Sequence, residues 1–295
     1  MGDLLGRQAN TRRGFRELLS GGEPVLAPGA YDAMSARLVE AAGFPAVYMS
    51  GFGVTASLLG RPDIGLLGMS EMAQAARRIV AALDVPVIAD ADTGYGNALN
   101  VRRTVALYES AGVAGLHLED QQMPKRCGHL AGKVVVSAEE FAAKIRAAVE
   151  ARTDPDLVII ARTDAIAVNG LDDALRRAEA AVRAGADMLF VEAPTTEEQI
   201  ERVARAFDTP LLFNYAPGGR SPLPPFARLR ELGYAVILLP VDTLFVAARA
   251  IQSFLRELKE GDAALPLADR YIPFKEFNEL IGVPEQFSLG QRYSG

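Results

Sequence analysis

The sequence predicts an α/β protein with the (β/α)8 TIM-barrel fold. Eight short apolar runs are spaced along the 295 residues, and segments rich in Ala, Arg and Glu lie between them. Strands that alternate with helices indicate βαβ units and a parallel sheet. The runs are almost continuously apolar, which is typical of strands covered on both faces.

The elements follow one another regularly. The predicted strands are, in order, PVLAPG, AVYMSG, VPVIADAD, GLHLED, LVIIARTD, MLFVEAP, PLLFNY and AVILLP. Helical spacing of apolar residues predicts helices between them, as in MSARLVEAAG, SEMAQAARRIVAAL, AEEFAAKIRAAVEAR and LDDALRRAEAAVRAG. Eight units in series favour a closed barrel over an open doubly wound sheet, and no G-x-G-x-x-G motif opens a helix.

The residues at the helix-to-strand junctions alternate between proline and glycine. The odd-numbered strands are preceded by Pro24, Pro86, Pro155 and Pro210, and the even-numbered ones by Gly43, Gly112, Gly185 and Gly233. Proline can begin a strand, and glycine after a helix can adopt a left-handed cap. We therefore expect left-handed caps at the glycines.

Two more apolar segments follow the eighth strand. Residues 244–258 predict a helix, and FKEFNELIG predicts a short amphipathic helix. We expect a single barrel domain over residues 1–295 with a C-terminal tail at 260–295. The tail helix can bury its apolar face on a partner subunit or on its own barrel, and the pattern alone leaves both open.

Composition excludes several classes of function. The chain is 49% hydrophobic and 23% charged, has a net charge of −6 and lacks a long basic run, so neither disorder nor nucleic-acid binding is expected. No signal peptide and no apolar stretch of about 18 residues is present, so no membrane partner is expected. One cysteine permits no internal disulfide and favours a cytoplasmic location.

Acidic side chains collect at the predicted carboxyl ends of the strands, where barrel active sites lie. Asp90 and Asp92 end the third strand, and Glu119 ends the fourth. Because side chains two residues apart share a face of a strand, we expect Asp90 and Asp92 to point the same way. Converging carboxylates repel one another unless a cation neutralises them, and Mg²⁺ prefers such oxygen ligands, often with few direct carboxylates. We expect Asp90 to bind the metal directly and the other two through water. The alternative is a solvated acidic rim.

Two further features indicate chemistry. Arg162 ends the apolar run LVII, where its guanidinium needs an anionic partner, either a substrate carboxylate or a nearby acid such as Glu192. The segment EDQQMPKRCGHLAGK, residues 119–133, places the only cysteine, Cys127, among cations. Cations lower the pKa of a thiol, so Cys127 is a candidate nucleophile or acid. A free surface cysteine is the alternative.

The cysteine segment carries a family resemblance. EDQQMPKRCGH closely resembles the signature of the isocitrate lyase/phosphoenolpyruvate mutase superfamily. SGFGVTASLLGRPDIG, IADADTGYGNALNV, KRCGHLAGKVV and IIARTDA look like its 2,3-dimethylmalate lyase and methylisocitrate lyase branch, over about residues 14–280. The resemblance implies Mg²⁺ as cofactor, with Mn²⁺ able to substitute. It also implies a homotetramer whose C-terminal helices, FKEFNELIG among them, are swapped between subunits.

The residues themselves indicate Asp90, Asp92, Glu119, Arg162 and Cys127, and the resemblance implies the remaining candidate site residues. The candidate metal ligands, direct or through water, are Asp90, Asp92, Glu119 and Asp63. The candidate substrate-binding residues are Ser50, Gly51, Lys125, Arg126, Gly128, His129, Arg162, Glu192 and Asn214. The candidate catalytic residues are Cys127, Tyr48 and Arg162.

The implied function is a Mg²⁺-dependent C–C lyase of carboxylic acid metabolism. Its small-molecule partner would be a 2-hydroxy dicarboxylate of the 2-alkylmalate type, such as 2,3-dimethylmalate or methylisocitrate. The products would be a 2-oxoacid and a carboxylate, with Cys127 protonating the carbanion. The alternatives are an oxaloacetate decarboxylase or hydrolase, a carboxyphosphonoenolpyruvate-type phosphonomutase, and an inactive binding scaffold.

One segment departs from the branch. Asn214-Tyr215-Ala216-Pro217-Gly218-Gly219 stands where the branch has Asn-Met-x-Glu-Gly-Gly. A third substrate carboxylate, as in methylisocitrate, would need an added cation, for which Arg126 and Arg220 are the candidates. We expect 2,3-dimethylmalate to be the preferred substrate.

Overall fold

The chain forms a closed parallel barrel of eight strands, which pair in sequence order until β8 meets β1. The computed structural model describes residues 11–128, 131–261 and 265–294. The strands are β1 Val25–Ala30, β2 Val47–Met49, β3 Val87–Asp90, β4 Gly115–Glu119, β5 Val158–Thr163, β6 Met188–Val191, β7 Leu211–Asn214 and β8 Tyr234–Leu239. Each of the eight predicted runs contains one of these strands or most of it, so the predicted barrel is confirmed.

Helices surround the barrel and extend beyond it. Those up to the sixth strand are α1 Thr11–Leu19, α2 Ala33–Ala41, α3 Gly51–Leu59, α4 Met69–Val80, α5 Ala98–Ala111, α6 Ala138–Ala151, α7 Ile166–Asn169 and α8 Leu171–Arg183. The later ones are α9 Glu197–Ala206, α10 Phe226–Glu231, α11 Asp242–Glu260, α12 Phe274–Leu280 and α13 Val283–Arg292, with a 3-10 helix at Leu265–Arg270. Within the described residues, no helix is both long and apolar enough to cross a membrane.

The junction glycines have the conformation that the sequence predicts. Gly43, Gly112, Gly185 and Gly233 have φ values of 85°, 90°, 99° and 84°. This left-handed region suits glycine because it has no Cβ to collide with the backbone. The helices therefore end where the chain must turn back into the barrel.

The strands of the barrel have buried apolar side chains on both their inner and their outer faces. Their inward side chains form a cluster that includes Tyr48, Ile88, Ile160 and Phe190, and their outward side chains pack under the helices. Fully buried Phe15 of α1 joins the inner cluster. The polar residues of the site are therefore held at the end of a rigid apolar core.

The C-terminal tail leaves large apolar side chains exposed. Phe274 is 83% exposed and Phe287 is 71% exposed, and Val246 of α11 is 70% exposed. The tail does touch its own barrel, where Arg37 of α2 donates a hydrogen bond to the carbonyl of Leu280 at 2.8 Å. The single chain therefore covers only part of the apolar surface of the tail.

Replacing Phe15 with Ala should destabilise the barrel strongly. Removal of a fully buried phenyl ring leaves a cavity that costs roughly 3–5 kcal/mol of the free energy of unfolding. Urea denaturation followed by circular dichroism measures this loss. Leu99→Ala is the control, because Leu99 is 75% exposed; an equal loss in both variants would contradict the assignment of Phe15 to the core.

Candidate active site

A small cavity lies at the carboxyl ends of the strands. Its volume is about 50 Å³, and it is lined by Tyr48, Ser50, Phe52, Asp63, Asp90, Lys125, Cys127, Gly128, Arg162, Glu192, Asn214, Ala216, Pro240 and Val241. A larger groove of about 600 Å³ lies outside the barrel between α4 and α5, where its described lining has no carboxylate or thiol. Because reactive groups converge only on the smaller of the two, we take that cavity as the candidate site.

The acid at the end of β3 is held from two sides. Oδ1 of Asp90 accepts the backbone N–H of Asp92 at 2.9 Å. Its other oxygen, Oδ2, lies so close to Gly51 that any side chain at Gly51 would collide with it. Asp90 lines the cavity and has a lowered pKa, because His117, Lys125 and Arg162 outweigh the burial that would raise it.

Asp92 does not share a strand face with Asp90, contrary to the expectation from strand periodicity. The strand ends at Asp90, and Asp92 has a left-handed φ of 48°. Its carboxylate Oδ1 instead lies 2.6 Å from Nζ of Lys125. The two carboxylates therefore have different surroundings: Asp90 lines the cavity, whereas Asp92 contacts Lys125.

Lys125 places a buried ammonium group between two acids. Its Nζ is 2.6 Å from Oδ1 of Asp63 and 2.6 Å from Oδ1 of Asp92, and the residue is 3% exposed. Burial lowers the pKa of Lys125, but Asp92, Asp90 and Asp63 raise it further, so the net shift is well upward. Lys125 is therefore a fixed positive charge at neutral pH.

Arg162 lies between acids, as its position at the end of β5 requires. Its Nε is 3.3 Å from Oε2 of Glu119 and donates to Oδ2 of Asp164 at 3.0 Å. The guanidinium carbon also lies 4.9 Å from the ring centroid of Phe190. Glu192 accepts hydrogen bonds of 3.2 Å from Nδ2 of Asn214 on both carboxylate oxygens.

Tyr48 is hydrogen-bonded inside the barrel below the acids. Its hydroxyl is 2.9 Å from Nε2 of His117, whose Nδ1 is 3.7 Å from Oδ1 of Asp90. Burial raises the pKa of Tyr48 well above its ordinary value and lowers that of His117 to about 4. Both groups are therefore neutral at pH 7, which favours Tyr48 as an orienting hydroxyl over an ionised base.

The acid set fits a divalent cation of the Mg²⁺ type. Burial raises the pKa of Asp92 to about 6 and that of Glu119 well above its ordinary value. Oε1 of Glu119 is buried and has no hydrogen-bond partner. Among the described residues, no three His, Cys, Asp or Glu side chains form a ready-made metal site. The partnerless carboxylate oxygen of Glu119 is the kind of hard oxygen donor that Mg²⁺ prefers, either directly or through water.

The part of the cysteine segment around Cys127, called here the cysteine loop, borders the cavity through Lys125, Cys127 and Gly128. Cys127 is half-buried, lines the cavity and donates its backbone N–H to the carbonyl of Asp63 at 3.2 Å. Next to it, any side chain on Gly128 would collide with Arg162 and Glu192. Glycine is required here because the loop backbone approaches these residues so closely.

Several predicted residues take other positions. Arg126 is exposed, and its Nη1 donates to the carbonyl of Ala131 at 2.8 Å. Ser50 does line the cavity, and its hydroxyl also caps α3 by accepting the N–H of Gly53 at 3.2 Å. His129 lies outside the described residues.

In residues 214–219, the segment that differs from the branch, Tyr215 and Pro217 do not line the cavity. The ring of Tyr215 packs against Phe226, with ring centroids 4.9 Å apart, and does not line the cavity. Pro217 is exposed, and Asn214 and Ala216 are the residues of this segment that line the cavity. The bulkier Tyr215 is therefore accommodated in an aromatic cluster outside the site.

Sequence reasoning missed two charged residues beside the site. Asp164 holds Arg162, and Lys133 pairs with Asp164. The position of Asp164, two residues after Arg162, was a usable signal. No sequence signal indicates the pairing of Lys133, because its partner Asp164 lies 31 residues away along the chain.

Comparison with known sequences gives close relatives over the whole chain. The 2,3-dimethylmalate lyase of Eubacterium barkeri is 48% identical over 285 residues, which cover 97% of this chain and 99% of the relative. The 2-methylisocitrate lyase of Aeropyrum pernix is 44% identical over 268 residues, covering 91% and 86%. The chloroplastic carboxyvinyl-carboxyphosphonate phosphorylmutase of Arabidopsis thaliana is 42% identical over 295 residues, covering 99% and 87%.

Solved structures agree with these relatives. A crystal structure of 2,3-dimethylmalate lyase matches with a TM-score of 0.92 and 36% identity, covering 98% of this chain and 97% of that one. Oxaloacetate acetylhydrolase with the inhibitor 3,3-difluorooxalacetate matches with 0.91 and 37%, covering 98% and 99%. Phosphonopyruvate hydrolase with oxalate and Mg²⁺ matches with 0.88 and 31%, covering 97% and 99%.

These matches confirm the resemblance that the cysteine segment indicates. Residues 15–259 also match the family described as phosphoenolpyruvate phosphomutase. The similarity to 2,3-dimethylmalate lyase extends over nearly the full length of the chain in both sequence and fold. The chain belongs to the phosphoenolpyruvate phosphomutase family.

Proposed function

We propose that this protein is a divalent-metal-dependent C–C lyase that cleaves a 2-alkylmalate, with 2,3-dimethylmalate as the preferred substrate. The observation that carries the proposal is the convergence of Asp90, Lys125, Arg162 and Cys127 on one small cavity. An acid, two cations and a thiol are the groups that a carboxylate substrate and carbanion chemistry require. The identity to 2,3-dimethylmalate lyase supports the choice of substrate class.

Substrate binding is assigned to the cations and amides of the cavity. Lys125 and Arg162 each provide a buried positive charge for a carboxylate. The backbone N–H groups of Gly51 and Phe52, at the N-terminus of α3, are the proposed donors to a substrate carboxylate. Glu192 and Asn214 line the same cavity and orient the polar groups of the substrate.

The metal is assigned to the acids beside Lys125. Asp90 is the proposed direct ligand of Mg²⁺, or of Mn²⁺ in its place, and Asp63, Asp92 and Glu119 act through water. When bound, such a cation supplies positive charge beside the 2-oxygen of the substrate. The phosphonopyruvate hydrolase that matches this chain was solved with Mg²⁺, which supports a divalent metal.

The bond-breaking step needs a base for the 2-hydroxyl proton and an acid for the carbanion. The 2-hydroxyl proton passes to a carboxylate of the cavity while the neutral Tyr48 hydroxyl orients the substrate. The C2–C3 bond breaks, its electron pair stays on C3, and C2 becomes the carbonyl of a 2-oxoacid. Cys127 then gives its proton to C3, which completes the second carboxylate product.

The two cations that line the cavity, Lys125 and Arg162, favour a substrate with two carboxylates. Arg126 and Arg220, the cations available for a third carboxylate, do not line the cavity among the described residues. Methyl groups in an apolar pocket discriminate by only about 1–3 kcal/mol each, so several alkylmalates should react at graded rates.

The assembly is proposed to be a homotetramer in a reducing cytosol. The exposed apolar residues of α11, α12 and α13 need a covering surface, and the single cysteine is compatible with a reducing compartment. We infer that α12 and α13 pack on a neighbouring subunit.

Incubation with 2,3-dimethylmalate and Mg²⁺ should release pyruvate and propionate in equal amounts. These are the products of C2–C3 cleavage, and liquid chromatography with mass detection identifies both. EDTA should abolish the release, and Mg²⁺ or Mn²⁺ should restore it. Faster turnover of oxaloacetate to oxalate and acetate, or unchanged rates in EDTA, would contradict the proposal.

Replacing Cys127 with Ser should slow C–C cleavage by roughly 10²–10⁴-fold, because a hydroxyl is a much weaker acid than a thiol. The kcat for 2,3-dimethylmalate measures the loss, and circular dichroism checks that the fold is kept. Ser110→Ala, at the exposed groove between α4 and α5, is the control and should turn over normally. Wild-type kcat in Cys127→Ser would exclude the thiol as the acid.

Light scattering after gel filtration should give the mass of four chains. Phe274→Asp combined with Phe287→Asp should lower this mass, because charges would enter the proposed covered faces. Leu99→Asp, on α5 and 75% exposed, should leave the mass unchanged. A monomeric wild-type protein would contradict the assignment of the tail.

A further inference from the structure

A buried ion pair connects the cysteine loop to the end of β5. Nζ of Lys133 is 2.7 Å from Oδ1 of Asp164, and the two side chains are 1% and 0% exposed. Burial of an ammonium group is costly unless the group is both paired and hydrogen-bonded. None of the steps assigned above uses Lys133 or Asp164.

Lys133 also fixes the loop backbone beside the cysteine. Its Nζ donates a hydrogen bond to the carbonyl of Gly128, the residue after Cys127. On the other side of the cysteine, the amide side chain of Gln121 accepts the N–H of Arg126 at 2.9 Å and donates to its carbonyl at 2.8 Å. The backbone is thus held immediately before and immediately after Cys127.

Asp164 is itself fixed and is shared with Arg162. Its backbone N–H donates to Oδ1 of Asp120 at 2.8 Å. Its carboxylate receives Nε and Nη2 of Arg162 at 3.0 and 3.3 Å. One carboxylate on a rigid strand end therefore sets both the direction of the Arg162 guanidinium and the place of the loop.

We propose that Lys133 and Asp164 are positioning residues. Together they fix the position of Cys127 relative to Arg162 at the cavity. Their relevance to catalysis rests on the proposed function, since Cys127 and Arg162 are its acid and its substrate contact. Opening of the loop would require the Lys133 ammonium to leave Asp164 and the Gly128 carbonyl together. The pair therefore favours the position in which Gly128 lies against Arg162 and Glu192.

The test uses the only cysteine of the chain as a reporter of loop position. Alkylation of Cys127 by iodoacetamide, without substrate, is measured by mass spectrometry in wild type and in Lys133→Met. We expect about tenfold faster alkylation in Lys133→Met, the shift that loss of one charged hydrogen bond produces in an equilibrium. The kcat for 2,3-dimethylmalate should fall with it, while KM should change less, because Lys133 does not line the cavity.

Lys144→Met is the matched control. Lys144 of α6 is also a buried lysine, 5% exposed, but it pairs with Glu140 on its own helix, away from the loop. In Lys144→Met, Cys127 should be alkylated at the wild-type rate. Lys133→Gln keeps a donor but loses the charge, so it should accelerate alkylation less than Lys133→Met, and it serves as the test if the methionine variant does not fold.

Wild-type alkylation rates in folded Lys133 variants would overturn the proposal, as would equal acceleration in Lys144→Met. A fall in kcat with no change in alkylation would also overturn it, since that result indicates a purely structural role. Alkylation requires no turnover. A protein that does not cleave 2,3-dimethylmalate would refute the proposed function and still give a result for the pair.

Discussion

The arrangement of the site depends on the neutralisation of carboxylates buried at one end of the barrel. Seven acids there are almost fully buried, namely Asp63, Asp90, Asp92, Glu119, Asp120, Asp164 and Glu192. Four cations are buried with them, namely Lys125, Lys133, Arg162 and Arg177. Burial raises the pKa of Asp92 and Glu119 even though Lys125 and Arg162 oppose these shifts. At Asp90 and Asp164 the neighbouring cations outweigh burial, and the pKa of each is lowered. A divalent cation would neutralise most of the excess of acids over cations.

The same charges connect the loop to the barrel. Lys125 and Lys133 both belong to the cysteine segment, and each pairs with an acid at a strand end. The loop therefore supplies positive charge to the barrel, and the barrel fixes the loop. Backbone strain is concentrated at this end too: Asp92, Tyr95 and Ala193, the non-glycine residues with positive φ in the described part of the chain, all follow β3 or β6. Strain of this kind is tolerated where surrounding contacts enforce it.

Much of the fold could be predicted because it follows from local patterns. Apolar runs located the eight strands, and the glycines before the even-numbered strands located left-handed caps. The candidate residues reached the cavity largely because strand ends meet at one face. Local patterns could not give the direction of side chains beyond a strand end. Asp92 leaves the strand face through its positive φ, and Arg126 turns outward to Ala131. Nor could they give pairs between distant segments, such as Lys133 with Asp164.

We propose that a divalent metal completes the charge balance at Asp90, and a measurement of Mn²⁺ binding tests this. Electron paramagnetic resonance should detect one tightly bound Mn²⁺ per chain in the wild-type protein. Asp90→Asn should weaken binding by more than about a hundredfold, beyond the loss usual for outer partners of a ligand. Asp172→Asn, which alters an exposed acid paired with Arg202, should bind as wild type does. Absence of Mn²⁺ binding in the wild-type protein, or unchanged affinity in Asp90→Asn, would contradict this account.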